Sequence, residues 1–321
     1  PGVAGPVLFC PSSEAVVLRS PKVILALVMV QVLFATLPVV VKVVLRDLSS
    51  PALALLRVTG AAALFLVLQS TLVRERVHSW RDYGLLALYS LFGVIANQLL
   101  YITALTMTTA TAAQTLVAAG PAMTLLVAIL LGKETATRAK WIGIALAGSG
   151  ALMLVGVGVG EGSVAGNLLA LCNVASYSVY LVISRGLLKR YNALTVITWV
   201  FAFGVLGMLP WGLLPVVREV GSMGADTWAA LAYIVVGPTV VAYYLNLWAS
   251  RRVEASLVST FVYLQPVMTA LLAVPLLHEH ISWTMLPAMA LIFAGVSVAI
   301  RAGRTRRSPV PSPEDQEVVE P

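Results

Sequence analysis

Long apolar stretches separated by short polar segments dominate the chain. Each stretch holds about 18 to 25 residues, which is enough for an α-helix to cross a hydrocarbon layer of about 30 Å at 1.5 Å per residue. The stretches are too long for barrel strands and lack two-residue alternation, so helices are the predicted spanning structure. Ten transmembrane helices are predicted, at residues 23–45, 51–72, 83–105, 109–132, 140–157, 166–187, 193–215, 227–249, 254–277 and 282–300.

The fourth and ninth stretches carry nearly the same sequence. "PAMTLLVAILLGKE" begins at Pro121 and "PVMTALLAVPLLHEH" begins at Pro266, an offset of 145 residues. From Ala104 to Gly150, 14 of 47 positions are identical to their partners at this offset, and Glu134 is paired with Glu279. This similarity predicts a duplicated unit.

The duplication divides the chain into two predicted repeats. The first covers residues 21–157 and the second covers residues 166–300, with a linker loop at 158–165. Residues 1–20 and the basic, then Pro-rich and acidic tail 301–321 are predicted as disordered cytoplasmic ends. Five spans per repeat is an odd number, so the two copies are predicted to be inverted, an arrangement typical of secondary transporters.

Composition and charge indicate where the chain lies. Hydrophobic residues make up 59% of the chain, and charged residues only 11%, compared with about 25% in soluble domains. If the N-terminus is cytoplasmic, 17 of the 21 Lys and Arg residues fall at cytoplasmic segments, a strong positive-inside signal. The net charge of +7 is therefore a topology signal, and no nucleic-acid partner is expected. The predicted outside loops are 46–51, 106–109, 158–165, 216–226 and 278–282.

Polar residues within the spans are the candidate substrate-binding residues. Such residues are costly at membrane depth unless they face protein or a wet cavity. Amide, hydroxyl and phenol groups suit a small polar or zwitterionic solute with an apolar part. Alternatively, the Ser and Thr hydroxyls bond within their own helices or hold neighbouring helices together. The candidates are Asn97, Gln98, Tyr101, Gln114, Thr115, Tyr177, Tyr180, Tyr243, Asn246, Ser259, Thr260 and Tyr263.

Two prolines and three charged residues have separate predictions. Pro121 and Pro266 lie near the middle of their spans and are predicted to kink them, either as bending points or as static kinks. Glu134 and Glu279 end their spans and are assigned a structural role at the turn into the next helix. Arg57 lies within the second span and is also assigned to structure, although contact with an anionic group stays open.

The residues that are missing from the spans limit the chemistry. No predicted span has Asp or Glu in its interior, so a proton-coupled mechanism through a buried carboxylate is not expected, and a facilitator driven by the solute gradient is favoured. His78, His278 and His280 lie at span ends, and the two cysteines, Cys10 and Cys172, form no framework. We therefore expect no enzyme activity, no metal and no cofactor.

Three segments resemble EamA-type members of the drug/metabolite transporter superfamily. They are "PALALLRVTGAAALFL", "NQLLYITALTMTTATAAQTLVAAGPAMTLLVAILLGKE" and "AYYLNLWASRRVEASLVSTFVYLQPVMTALLAVPLLHE", and the resemblance covers about residues 20–300. It implies export of amino acids or related metabolites across a bacterial inner membrane, through a central cavity between helices 1, 3, 4, 6, 8 and 9. A different metabolite class, such as nucleosides, organic acids or drugs, or a non-transporting receptor or scaffold of the same fold, are the alternatives.

Overall fold

The chain folds into a bundle of helices connected by short loops. The structure, a computed structural model, describes residues 21–156, 162–250, 252, 258 and 261–304. The regular elements are α1 (Pro21–Val44), α2 (Ser50–Val73), α3 (Trp80–Met107), α4a (Ala110–Val117), α4b (Gly120–Leu130), α5 (Arg138–Gly156), α6 (Val164–Ile183), α7 (Ala193–Glu219), α8 (Ala225–Ile234, continued by Val235–Val241 and Ala242–Ser250), α9 (Leu264–Leu277) and α10 (Met285–Arg304). A single helical turn, Arg185–Leu188, precedes α7.

The all-helical membrane fold predicted from the apolar stretches is confirmed. In the described part of the chain, eight helices are long and apolar enough to cross a membrane, and α4a with α4b makes a ninth if the bent pair is one span. The predicted ninth stretch, 254–277, begins among residues outside the description, and α9 contributes 14 residues of it. A helix thus lies at each of the ten predicted positions, and eight of these helices are long enough to span the membrane in the described part of the chain, or nine with the bent pair.

Helices α5 and α10 pack antiparallel at very close range. A β-carbon at Gly143 would lie 2.6 Å from the backbone nitrogen of Ala299, and one at Gly150 would lie 2.6 Å from the carbonyl oxygen of Ala288. A later position on α5 therefore contacts an earlier position on α10, so the two helices run in opposite directions. These are the fifth helices of the two repeats, so equivalent helices run in opposite directions. Small residues that permit backbone contact are typical of helix interfaces in membranes.

Helices α2 and α7, the second helices of the two repeats, form a second antiparallel pair. The Thr198 hydroxyl donates to the carbonyl oxygen of Phe65 at 3.2 Å, and the rings of Phe65 and Phe201 are 5.2 Å apart. At the other end of the pair, a β-carbon at Gly212 would lie 2.9 Å from the carbonyl oxygen of Pro51. Each pair joins a helix to its own repeat counterpart, as expected for two inverted units around a two-fold axis.

Wide helical turns occur at equivalent places in the two repeats. The middle of α3 is π-helical at Leu91–Ala96, and the middle of α8 is π-helical at Val235–Val241. Adding the repeat offset of 145 to the first range gives 236–241, which lies within the second segment and is one residue shorter. A π-helical turn holds extra residues and so changes the direction of the side chains that follow it, and such turns are frequent at functional sites.

The bundle has two chemically different ends. We call the end at which Lys22, Arg74, Lys133, Arg190 and Arg301 lie the basic end, and the other the opposite end.

Several contacts connect helix ends at the opposite end. The backbone nitrogen of Ser49 donates to the Glu219 carboxylate at 2.8 Å, and the backbone nitrogen of Ser163 donates to the carbonyl oxygen of Met107 at 2.8 Å. At the basic end, Arg190 forms an ion pair with Asp82 at 2.8 Å.

The close α5–α10 contact generates a stability prediction. Gly295→Ala places a β-carbon against the backbone of Ala147, so we expect overpacking to destabilise the fold by about 1–3 kcal/mol. Gly148→Ala on α5 is the matched control, because no atom lies within 4 Å of its added β-carbon. Thermal melting of both variants in detergent measures the difference. Equal melting temperatures would contradict the close antiparallel contact.

Candidate functional site

A chain of buried amides crosses the centre of the bundle. The Tyr101 hydroxyl donates to Oε1 of Gln114 at 3.3 Å, and Nε2 of Gln114 donates to Oε1 of Gln265 at 2.5 Å. Nε2 of Gln265 then donates to Oε1 of Gln31 at 2.6 Å. These hydrogen bonds connect α3, α4a, α9 and α1. Each of the four side chains is at most 7% exposed. Buried amides that pair in this way fix the relative positions of four helices.

Arg57 forms a second polar cluster between α2, α3 and α8. Its Nη1 donates to Oε1 of Gln98 at 2.9 Å, and its Nη2 donates to the Thr239 hydroxyl at 3.4 Å. The side chain is 6% exposed, and its Nε has no hydrogen-bond partner. Gln98 follows the π-helical turn of α3, and Thr239 lies within that of α8, so the two wide turns bring both acceptors to the guanidinium.

A cavity of about 460 Å³ opens towards the basic end between α2, α7 and α8. Of the six helices that the resemblance places around a central cavity, only α8 contributes to the walls of this one. Its walls include Phe65 and Leu68 of α2, Leu194 of α7, and Tyr243 and Asn246 of α8. The walls are mainly apolar, with the Asn246 amide and the Tyr243 phenol among their polar groups. This combination of apolar area and few polar groups is typical of small-molecule sites.

Aromatic rings pack around Tyr243 at the wall of this cavity and on the neighbouring α6. The Tyr243 ring lies edge-on to Phe65 at 6.2 Å and to Phe34 at 6.3 Å. Tyr177 and Tyr180 on α6 are 5.6 Å apart, and the Tyr180 ring packs against Gly93 in the π-helical turn of α3. The α6 tyrosines therefore lie beside the π-helical turn of α3, and Tyr243 of α8 lies beside aromatic rings of α1 and α2.

Other predicted site residues have different surroundings. The Thr115 hydroxyl donates to the carbonyl oxygen of Thr111 within α4a, which matches the alternative raised for Ser and Thr. The Tyr263 ring packs against Phe293 of α10 at 4.8 Å, away from Tyr101 and its amide partners. The backbone carbonyl oxygen of Asn97 accepts a hydrogen bond from the side-chain amide of Asn173 at 2.7 Å. Ser259 and Thr260 lie outside the described residues.

The two prolines lie at helix starts rather than within continuous helices. Helices α4a and α4b are bent by 42°, and Pro121 is the second residue of α4b. Pro266 lies in the first turn of α9. At these positions a backbone N–H has no helical acceptor, so the missing donor of proline is tolerated. Bending of the two spans at these prolines during transport stays a prediction.

Glu279 caps the start of α4a from the other repeat. Its carboxylate accepts from the backbone nitrogens of Ala110 at 2.6 Å and Thr111 at 3.2 Å, and from the Thr111 hydroxyl at 2.9 Å. Lys42 lies 3.6 Å away, and the Glu279 side chain is 5% exposed. A carboxylate at a helix N-terminus is stabilised by the free N–H groups and the helix dipole. The sequence assigned Glu279 to the turn into the next helix, whereas the structure connects it to α4a.

Glu134, the repeat counterpart of Glu279, has a different environment. Its side chain is 39% exposed, and its carboxylate lies 3.1 Å from the buried Nζ of Lys140 at the start of α5. The positions equivalent to Ala110 and Thr111 are residues 255 and 256, which lie outside the described residues. Two equivalent glutamates are thus held differently at the two ends of the bundle.

Sequence reasoning missed several members of this region. Gln31, Thr239 and Gln265 are uncharged residues in apolar stretches, and the same cost of polar groups at membrane depth that selected the other candidates also applies to them. The sequence assigned Arg57 to structure and left contact with an anionic group open, but it did not indicate the two hydrogen-bond partners, which lie 41 and 182 residues away. Among the described residues, no group of three or more His, Cys, Asp or Glu side chains is placed to hold a metal ion.

Comparisons with known proteins agree with this architecture. The EamA-like transporter family model matches residues 21–156 and again residues 164–301. An uncharacterized transporter of Archaeoglobus fulgidus is 26% identical over 262 residues, which cover 79% of this chain and 89% of the relative. The uncharacterized transporter YetK of Bacillus subtilis is 25% identical over 230 residues, or 68% of each chain. A WAT1-related protein of Arabidopsis thaliana is 25% identical over 291 residues, covering 78% of this chain and 76% of the relative.

A solved crystal structure supports the fold alone. It superposes with a TM-score of 0.58 at 20% identity, and covers 91% of this chain and all of its own. The two family matches fall on the two inverted units, each with one antiparallel helix of the α2–α7 pair and one of the α5–α10 pair. The chain is a membrane transporter that belongs to the EamA-like transporter family.

Proposed function

We propose that the chain exports amino acids or related small polar metabolites by alternating access. The observation that carries this proposal is the difference between Glu279, buried against the start of α4a, and Glu134, exposed beside Lys140. Among the described residues, two sequence-equivalent glutamates thus have different surroundings in one molecule. If each repeat can take the arrangement of the other, exchange of the two produces a second state that opens towards the other end.

The structure supplies a candidate for one of these states. At the opposite end, Glu279 connects α9 to α4a, and Ser49 is hydrogen-bonded to Glu219. At the basic end, the cavity reaches inward as far as Val240 of α8. The opposite end also has a depression of about 420 Å³, and Glu279 lies in its wall. Because Glu279 joins α9 to α4a there, we interpret this as a state that is closed at the opposite end and accessible from the basic end.

The basic end is proposed to be cytoplasmic, in a bacterial inner membrane. This orientation follows from the excess of Lys and Arg at that end and the positive-inside rule. A solute that enters the cavity from the cytoplasm and leaves at the opposite end is exported.

Amino acids are the proposed solute class because of the chemistry around the cavity. A volume of about 460 Å³ is within the range of small-molecule sites, about 300–1,000 Å³. Phe65 and Tyr243 offer ring surface to an apolar side chain, and the Asn246 amide offers both a donor and an acceptor. Nucleosides or organic acids would use the same groups, and a receptor with this fold would bind the solute without moving it.

Transport is proposed to follow the solute gradient. Among the described residues, the buried carboxylates are Asp82 and Glu279, and both lie near helix ends with a cationic partner. Neither is an unpaired carboxylate at membrane depth, which a proton carrier of that kind requires. Counterflow of a labelled amino acid in proteoliposomes should therefore proceed without an imposed pH gradient.

The orientation can be tested by cysteine labelling in intact cells. After replacement of Cys10 and Cys172 by serine, single cysteines at 161 and 280 are expected to react with a membrane-impermeant maleimide, and one at 137 is not. Permeabilised cells provide the control, since all three sites should then react. Labelling at 137 with protection at 161 and 280 in intact cells would reverse the proposed direction.

The solute site can be tested by counterflow of radiolabelled phenylalanine, with affinity measured in detergent. Loss of a hydrogen bond to a charged ligand group costs about 1.5–3 kcal/mol, so Asn246→Ala should weaken affinity about 10- to 150-fold at nearly unchanged melting temperature. Tyr263→Ala is the contrasting variant, because its ring packs on Phe293.

We expect Tyr263→Ala to lower the melting temperature and to leave the affinity of the folded protein unchanged. Unchanged affinity in Asn246→Ala would remove Asn246 from the site. Binding of phenylalanine without counterflow by the wild-type protein would favour a receptor.

A further inference from the structure

Arg57 is a buried cation whose observed partners are neutral. Its hydrogen bonds go to the Gln98 amide and the Thr239 hydroxyl, and its Nε has no partner. The ion pairs among the described residues are Lys42–Glu279, Lys140–Glu134 and Arg190–Asp82, and none of them includes Arg57. Arginine stays charged in proteins, so it does not escape this situation by losing its proton.

A lone buried charge is costly unless a counter-ion offsets it. Charged groups within a membrane protein are usually paired, and they commonly mark the path of a substrate or ion. The neutral acceptors of Arg57 supply hydrogen bonds but no negative charge, and they leave the Nε edge of the guanidinium free. The fold therefore provides the position and the donors for an anionic group that the described protein residues do not supply.

We propose that Arg57 binds a carboxylate group of the transported solute. This inference rests on the proposed transport function and specifies the solute class of the same site. The guanidinium presents donors in a planar fork that matches both oxygens of a carboxylate. Its free Nε–H and a neighbouring Nη provide one such edge, while Gln98 and Thr239 hold the rest of the group in place.

The charge of the site favours a monoanion. The buried cations of the described residues are Arg57 and Lys140, and Lys140 is already paired with Glu134 at the start of α5. A phosphate monoester carries about −1.5 to −2 charge at pH 7, so a single arginine would leave much of that charge uncompensated. A carboxylate carries one negative charge, which Arg57 balances.

The position of Arg57 fits a solute that enters from the cavity. Tyr243 lines the cavity, and so does Val240, which is one turn deeper on α8 and follows Thr239 directly. Thr239, which holds Nη2, precedes Tyr243 by four residues, or about 6 Å along the helix. Rotation of the Tyr243 ring would connect the cavity to Arg57, and the Phe34 and Phe65 rings beside it would then face the apolar part of the solute.

Three related probes separate the carboxylate from the other parts of a solute. Phenylalanine carries an ammonium and a carboxylate, 3-phenylpropionate carries only the carboxylate, and phenylalaninamide carries only the ammonium. We expect the purified wild-type protein to bind and exchange the first two, and to bind phenylalaninamide at least about 10-fold more weakly. Phenyl phosphate is the fourth probe and is expected to bind more weakly than 3-phenylpropionate.

Gln98→Glu tests the same idea from the side of the protein. The new carboxylate lies where Oε1 of Gln98 accepts from Arg57, so it becomes an internal counter-ion. We expect an equal or higher melting temperature and a loss of at least about 10-fold in affinity for 3-phenylpropionate. Gln31→Glu is the matched control, since Gln31 is also a buried amide but pairs with Gln265. It should lower the melting temperature and leave the preference for 3-phenylpropionate over phenylalaninamide unchanged.

The outcomes are distinguishable. Equal binding of phenylalanine and phenylalaninamide by the wild-type protein would overturn the role of Arg57 while transport stands. An unchanged preference of Gln98→Glu for 3-phenylpropionate over phenylalaninamide would also overturn the role of Arg57. This result is expected if Arg57 only holds helices together. If Gln98→Glu does not fold, Arg57→Lys and the wild-type probes decide, with a loss of about 10-fold or more in 3-phenylpropionate affinity expected for the lysine. Absence of exchange of every probe would overturn the proposed function together with the inference.

Discussion

The antiparallel contact between α5 and α10 determines the geometry of the molecule. Gly143, Gly150 and Gly295 let the two backbones meet at distances that any β-carbon would prevent. Because these helices are equivalent members of the two repeats, their contact fixes the axis that relates the repeats. The α2–α7 pair obeys the same antiparallel relation. The cavity is lined by the α2–α7 pair together with α8, whereas the buried amides connect α1, α3, α4a and α9.

Two kinds of polar group lie at membrane depth in a chain that is 59% hydrophobic, namely the row of buried amides and the charged Arg57. The amide chain from Tyr101 to Gln31 satisfies its members mutually, so its burial is tolerated. Arg57 differs, because its neutral acceptors leave both a charge and an N–H unmatched. A fully satisfied network holds helices together, whereas an unmatched charge provides binding energy for a ligand of opposite charge.

The sequence predicted the architecture because its signals are local or periodic. The length of the apolar stretches predicted the helices, and the similarity of the segments that begin at Pro121 and Pro266 predicted the duplication. Contacts between residues far apart in sequence were not accessible in this way. The cap that Glu279 provides to α4a joins residues 168 and 169 positions apart, and the π-helical turn before Gln98 depends on packing rather than on composition. The ring contact between Tyr263 and Phe293 of α10 is another contact that the sequence did not indicate.

Alternating access by exchange of the two repeats is the central claim, and pulsed electron spin resonance tests it most directly. Spin labels at 72 and 244 flank the cavity at the basic end, and labels at 46 and 106 flank a depression of about 420 Å³ beside Glu279 at the opposite end. Glu279→Gln removes the charge that caps α4a, so it should shift the population towards the state that is open at the opposite end. The account predicts a longer 46–106 distance together with a shorter 72–244 distance. An increase at both ends, or no change at either, would contradict it.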